Sequence, residues 1–180
     1  MKHIQPCVIW FTGYSGAGKS SLATAVDVLL KSQGIPTSIL DGDIVRTGLC
    51  QDLSYSKQDR EENIRRVGHM ARQLVDTDTI VLCAFISPFR ESRDKVRALF
   101  SDGQFIEVFV DTSLEICEER DVKGLYKKAR SGVIKNFTGI DSPYEKPLSA
   151  EIHIISSNNI QSPETSAQQV IAYLQLSQNI

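Results

Sequence analysis

Apolar runs of strand length alternate with segments of helical period along this chain of 180 residues. The run CVIWF, Cys7 to Phe11, reads as a first strand. Leu22, Val26, Leu29 and Leu30 then recur at helical spacing, and Gly34 followed by Pro36 ends that helix. TSIL is a second strand stopped by DGD, and Ser56 with Asp59 reads as a capping box opening a long helix. Along that helix Ile64, Val67, Ala71 and Leu74 mark the face to be buried. TIVLCAFI is apolar throughout, as a strand covered on both faces must be. FIEVFV and EIHII supply two more strands, with helices expected after Ser87, Thr112 and Ser162. Strand and helix in this rhythm predict an α/β fold, a three-layer doubly wound sheet of five parallel strands, in a single domain over 1–180.

In such sheets ligands sit beyond the carboxyl ends of the strands. Those ends carry GYSGAGKS, DGDIVR, ISPFR and DTS. The first, Gly13-Tyr14-Ser15-Gly16-Ala17-Gly18-Lys19-Ser20, has the spacing of a phosphate-binding loop placed between a strand and a helix. Its glycines let successive backbone N–H groups form an anion-sized nest, and the following helix aims its positive dipole end at the same spot. Lys19 is expected to reach the outer phosphates of ATP and the Ser20 hydroxyl to ligate magnesium, with Ser21 just beyond. The fold class is therefore that of the P-loop NTPases.

The acids at the second strand end are Asp41 and Asp43. A hydroxyl acceptor needs a carboxylate to take its proton or hold a metal-bound water, and Asp43 is assigned that role together with magnesium. An ordinary Asx turn around Gly42 is the competing reading of the same three residues. Arg46 and Arg60 bracket the segment leading into the long helix, where planar guanidinium groups suit an anionic acceptor; Arg65 and Arg72 read instead as a solvated helix face. Farther on, RDVKGLYKKARSGVIKNFTG carries six basic residues against Asp121. Either an exposed basic helix or a lid over phosphates, at about 120–140, accounts for it. Pro88 biases Ser87 towards extended backbone, which would present its hydroxyl to a ligand.

Composition narrows the class. A net charge of −2 gives no field to attract nucleic acid or an acidic membrane, and no apolar stretch approaches the length of a membrane helix. Cys7, Cys50, Cys83 and Cys117 lack ligand spacing, so reduced buried thiols are expected rather than a disulfide or metal role. The N-terminal apolar run is too short for a signal peptide, and a cytoplasmic setting is expected.

DGDIVRTGL, DREENIRR, FISPFR, RDVKGLYKKAR and FTGIDSPYE, in that order behind the P-loop, closely resemble adenylylsulfate kinases (APS kinases) across nearly the whole chain. The resemblance implies transfer of the ATP γ-phosphate to the 3′-hydroxyl of adenosine 5′-phosphosulfate (APS), giving 3′-phosphoadenosine 5′-phosphosulfate (PAPS). It implies acceptor contacts at Asp43, Arg46, Tyr55, Arg60, Asn63, Ile86, Ser87, Lys123, Asn136 and Phe137, and a homodimer. Tyr55 and Phe137 would flank the acceptor adenine. A phosphoserine is often described in that family at the position of Ser87. AFISPFR offers no base to activate this serine, so Ser87 is expected to hydrogen-bond the acceptor without carrying phosphate. Tyr14, Ser21 and Ile44 depart from the family pattern, which usually has leucine, threonine and asparagine there. A catalytically weak nucleotide-binding paralogue, or a P-loop kinase of another small acceptor such as gluconate or shikimate, is the alternative.

Overall fold

In the computed structural model, residues 4–156 and 162–177 are described. The elements run β1 (Val8–Thr12), α1 (Lys19–Ser32), β2 (Thr37–Asp41), α2 (Gly42–Arg46), α3 (Lys57–Val75), β3 (Ile80–Ala84) and α4 (Arg90–Arg97). After these come β4 (Phe105–Thr112), α5 (Leu114–Arg120), α6 (Leu125–Arg130), β5 (Ile152–Ser156) and α7 (Pro163–Ser177). The five strands are parallel, in the order β2-β3-β1-β4-β5. The chain thus leaves β1 for the β2 edge, returns through β3, and continues on the other side of β1 with β4. Clefts form where connections diverge in this way.

The strands are apolar on both faces because both faces are covered. Val8 and Trp10 of β1, with Val81 and Cys83 of β3, pack against Ile64, Val67 and Ala71 of α3 and Val96 of α4. Their neighbours Ile9, Phe11, Ile80 and Leu82 face the opposite way, against Leu22, Val26 and Leu30 of α1 and Val170 and Leu174 of α7. The expected stripe on α3 is shifted at its end: Val75 is buried and Leu74 only partly so. Ser56 caps α3 as expected, its hydroxyl accepting from Asp59 N at 3.1 Å. The Asp59 carboxylate does not return the bond to Ser56 N; it accepts from Ser54 N and the Ser54 hydroxyl instead. All four cysteines are buried. No helix among the described residues is long and apolar enough to cross a membrane.

Candidate active site

The phosphate loop joins β1 to α1. A Cβ at Gly13 would lie 2.5 Å from the Val110 carbonyl oxygen of β4, and Gly16 and Gly18 have φ of 76° and 102°, so glycine is required at all three. The neighbouring elements brace the loop. Thr112 Oγ1 donates to Ala17 O at 2.9 Å, and Tyr126 Oη of α6 donates to Ser15 O at 2.8 Å. Lys19 opens α1 and is buried, its Nζ donating to Gly13 O at 3.0 Å and Tyr14 O at 2.6 Å. Burial lowers its pKa to about 8, because nearby acids offset only part of the desolvation.

Ser20 Oγ donates to Asp41 Oδ2 at 2.5 Å, while Asp41 Oδ1 accepts from Asp43 N at 3.0 Å and caps α2. The Asx turn is therefore present, and Asp41 is also the acid on the P-loop serine. Asp43, assigned from sequence to the metal, points its carboxylate at Lys123 Nζ across the cleft. Two hard oxygens beside a phosphate nest suit magnesium, which takes one or two carboxylates and fills its sphere with phosphates and water. Among the described residues there is no cluster of three or more histidine, cysteine or acidic side chains that could hold a metal.

A cleft of about 620 Å³ runs from this loop to the ends of β2 and β3. Ser15, Gly16, Gly18, Lys19, Ser20 and Ser21 line its phosphate-loop end. Asp43, Arg46, Tyr55, Arg60, Asn63, Ile86, Ser87, Lys123 and Phe137 line the remainder. Gly13, Tyr14, Ala17 and Asn136 are not in its lining; Tyr14 instead packs on Tyr144, ring centroids 4.9 Å apart. Asn136 acts through its backbone, its carbonyl accepting from Arg60 and its N–H donating to Asp141 Oδ2 at 2.7 Å. Arg60 also donates to Thr138 Oγ1 and, through Nε, to Tyr55 O at 3.0 Å. Its guanidinium thus ties α3 to the segment after α6. The Arg46 guanidinium lies 4.3 Å from the centroid of the exposed Tyr55 ring. Phe137 is 8% exposed and meets Tyr126 edge-on, so it is a core residue as well as a cleft wall. Asn63 is buried, and its Nδ2 has no hydrogen-bond partner among the described residues. Arg65 is exposed on α3 and paired with Glu62, as expected, whereas Arg72 is half-buried: it pairs with Asp76, donates to Gln104 Oε1 at 2.9 Å and lies over the Phe100 ring.

Ser87 departs from expectation. Its φ is 39°, left-handed rather than extended. It is 2% exposed, with Oγ accepting from Trp10 Nε1 at 3.0 Å. The proline rule disfavours the right-handed helical region but does not enforce extension, and hydrogen bonds decide the rest. The basic stretch is also less isolated than its sequence implies, since Arg130 pairs with Glu118 and Lys123 with Asp43. Asp41, Thr138, Val133 and Ile134 line the cleft without having been singled out as contacts. Asp41 had a signal, its place at a strand end; the other three lie in the basic stretch read as a lid, without a signal of their own. Ile44, the departure in the DGD segment, is 69% exposed and does not line the cleft.

A doubly wound parallel sheet whose phosphate loop and buried lysine open into a cleft running on to the ends of β2 and β3 is the arrangement of a P-loop kinase. Residues 5–155 match the family model for adenylylsulphate kinase, and the chain belongs to that family. It is 60% identical over 154 residues to an adenylyl-sulfate kinase of Vibrio vulnificus, covering 86% of this chain and 74% of that one. With the adenylyl-sulfate kinase of Marinobacter nauticus it shares 55% identity over 174 residues, 97% of this chain and 86% of the other. The structure of the Mycobacterium tuberculosis APS kinase in complex with AMPPNP and APS superposes with a TM-score of 0.90 at 45% identity, covering 96% and 99% of the two chains.

Proposed function

We propose that the cleft divides into a donor half at the phosphate loop and an acceptor half walled by α2, α3, the loop after β3 and residues 133–138. The protein is an ATP-dependent adenylylsulfate kinase that converts APS to PAPS, and the observation carrying that activity is the family match over residues 5–155. In the proposed division the γ-phosphate of ATP crosses from one half to the 3′-hydroxyl of APS held in the other. Phosphoryl transfer demands little covalent chemistry of a protein; alignment and charge neutralisation do most of it. Lys19 is poised for this, since its present partners are neutral carbonyls that an anionic phosphate oxygen outcompetes. Ser20 and Asp41 would hold magnesium, which when bound neutralises phosphate charge. Asp43 is the carboxylate assigned to the acceptor proton, and Lys123 the cation released from it towards the sulfate or phosphate oxygens of APS. Residues 120–140 form the lid, a role supported by the Lys123 contact with Asp43 and by Tyr126 resting on the phosphate loop. The dimeric state rests on the family resemblance alone, and a cytoplasmic setting on the reading of the cysteines as reduced thiols.

The test is ADP release with APS, set against AMP, gluconate and shikimate, with the site of phosphorylation read by NMR. APS alone should raise ADP release above background, with the new phosphate on the ribose 3′ position. Equal stimulation by AMP, or none by APS, would overturn the assignment.

A further inference from the structure

Ser87 has a backbone conformation that residues with a Cβ adopt rarely, and a proline follows it. Conformations of this kind persist only where the surroundings over-determine them. Here the surroundings centre on Arg93 of α4, which is 2% exposed. Its Nη1 donates to Ser87 O at 2.7 Å, its Nη2 to Glu145 O at 2.8 Å, and its Nε to Glu107 Oε1 at 2.7 Å. Glu145 N in turn donates to Pro88 O at 2.8 Å, closing a ring of bonds around the turn. The second Glu107 oxygen accepts from Arg97 at 3.3 Å, so the buried carboxylate is engaged on both sides.

A buried ion pair of this sort adds little net stability, because desolvation offsets most of the attraction. What the guanidinium does supply is geometry: a rigid planar fork joins β4, the loop after β3 and the loop at Glu145. Arg93 does not line the cleft, whereas Phe85, Ile86, Ser87 and Pro88 do. We propose that the Arg93–Glu107 pair is a positioning device that holds the Ser87 turn in the shape the acceptor requires, and so sets acceptor affinity without touching it. This rests on the reading above that the loop after β3 walls the acceptor half.

Arg93→Lys keeps the charge but cannot reach both carbonyls and Glu107 at once; Glu107→Gln keeps an acceptor for Nε and removes the charge. Both are made in the full chain, with thermal melting as the check on folding and steady-state kinetics in ATP and in APS as the readout. For Arg93→Lys the KM for APS should rise about tenfold or more, since small displacements of a binding wall are costly, with the KM for ATP within about twofold. Glu107→Gln should shift the same parameter by less. Parallel changes in both KM values, or an unchanged KM for APS, overturn the proposal. If Arg93→Lys does not fold, Glu107→Gln decides; if neither folds, the pair is a stability element and the proposal fails. Phe137→Leu, on another wall, is the control. A raised KM for APS there with none in Arg93→Lys overturns this inference alone. No change in either brings down the acceptor assignment itself.

Discussion

The two halves of the proposed division are built in opposite ways. The donor half comes from eight consecutive residues, Gly13 to Ser20, fixed between a strand and a helix and braced by Thr112 and Tyr126. Its lysine already has two partners. The acceptor half is assembled from residues far apart in sequence: Arg60 with Asn136 and Thr138, and Asp43 with Lys123. Among the described residues it also keeps a buried donor, Asn63 Nδ2, whose only neighbouring acceptor is the weak one of the Cys50 thiol. An unmet buried donor costs about 1–3 kcal/mol, which a ligand that accepts from it recovers. On the proposed division the donor half is held in place before its ligand arrives, whereas the acceptor half leaves a buried donor for one.

The largest expected effect strikes the donor half. Lys19→Ala should lower turnover by about two orders of magnitude or more, the usual consequence of deleting one preorganised electrostatic group. Melting should change little, because the two bonds lost are to loop carbonyls. A folded variant with near-normal turnover would break the division at its clearest point.

Next in size is a pH effect on the same residue. Burial brings Lys19 down to about 8, so it is protonated below that pH and loses its charge as pH rises through it. The kcat/KM for ATP reports the free enzyme and should fall about tenfold per pH unit above pH 8. Lys19→Arg, whose guanidinium stays charged, should abolish that limb even if it is slower overall. A limb that persists unchanged in the arginine variant belongs to another group.

On the acceptor side, Phe137→Leu keeps much of the buried volume but removes the aromatic face. Base stacking is worth about 1–3 kcal/mol per ring, so APS should bind roughly fivefold more weakly or worse, with ATP little affected. The smallest effect is expected at Ser87. Its hydroxyl is held by Trp10 and lies 3.4 Å from Phe85 O, with no base on it. Ser87→Ala should lose about 0.5–1.5 kcal/mol in rate, a few-fold. Rapid-quench trapping with γ-labelled ATP should find no labelled serine that forms and decays as fast as turnover.

The same contrast explains what the sequence discloses. The phosphate loop is legible because its chemistry is local: glycine spacing, a strand before and a helix after. That the strands are parallel and covered on both faces follows from the apolar runs, whereas their order, β2-β3-β1-β4-β5, does not. In the acceptor half Asp43, Arg46, Arg60 and Ser87 are legible from their places near strand ends, whereas Tyr55, Asn63 and Ile86 emerge only from motifs resembling a family. Nothing local to Arg93 announces Glu107, fourteen positions away on β4, as its partner. Nor does DGD reveal that Asp41, rather than Asp43, meets the P-loop serine. The backbone of Ser87 departs from extension because the rule about its neighbour carries no information on the long-range bonds from Trp10 and Arg93.

The most direct test of the division is equilibrium binding of a nonhydrolysable ATP analogue and of APS, each measured alone on wild type, Lys19→Ala and Phe137→Leu. The account predicts a crossing: Lys19→Ala loses affinity for the triphosphate and keeps APS, while Phe137→Leu loses APS and keeps the triphosphate. If each variant weakens both ligands equally, the two halves are not separate sites and the account is wrong.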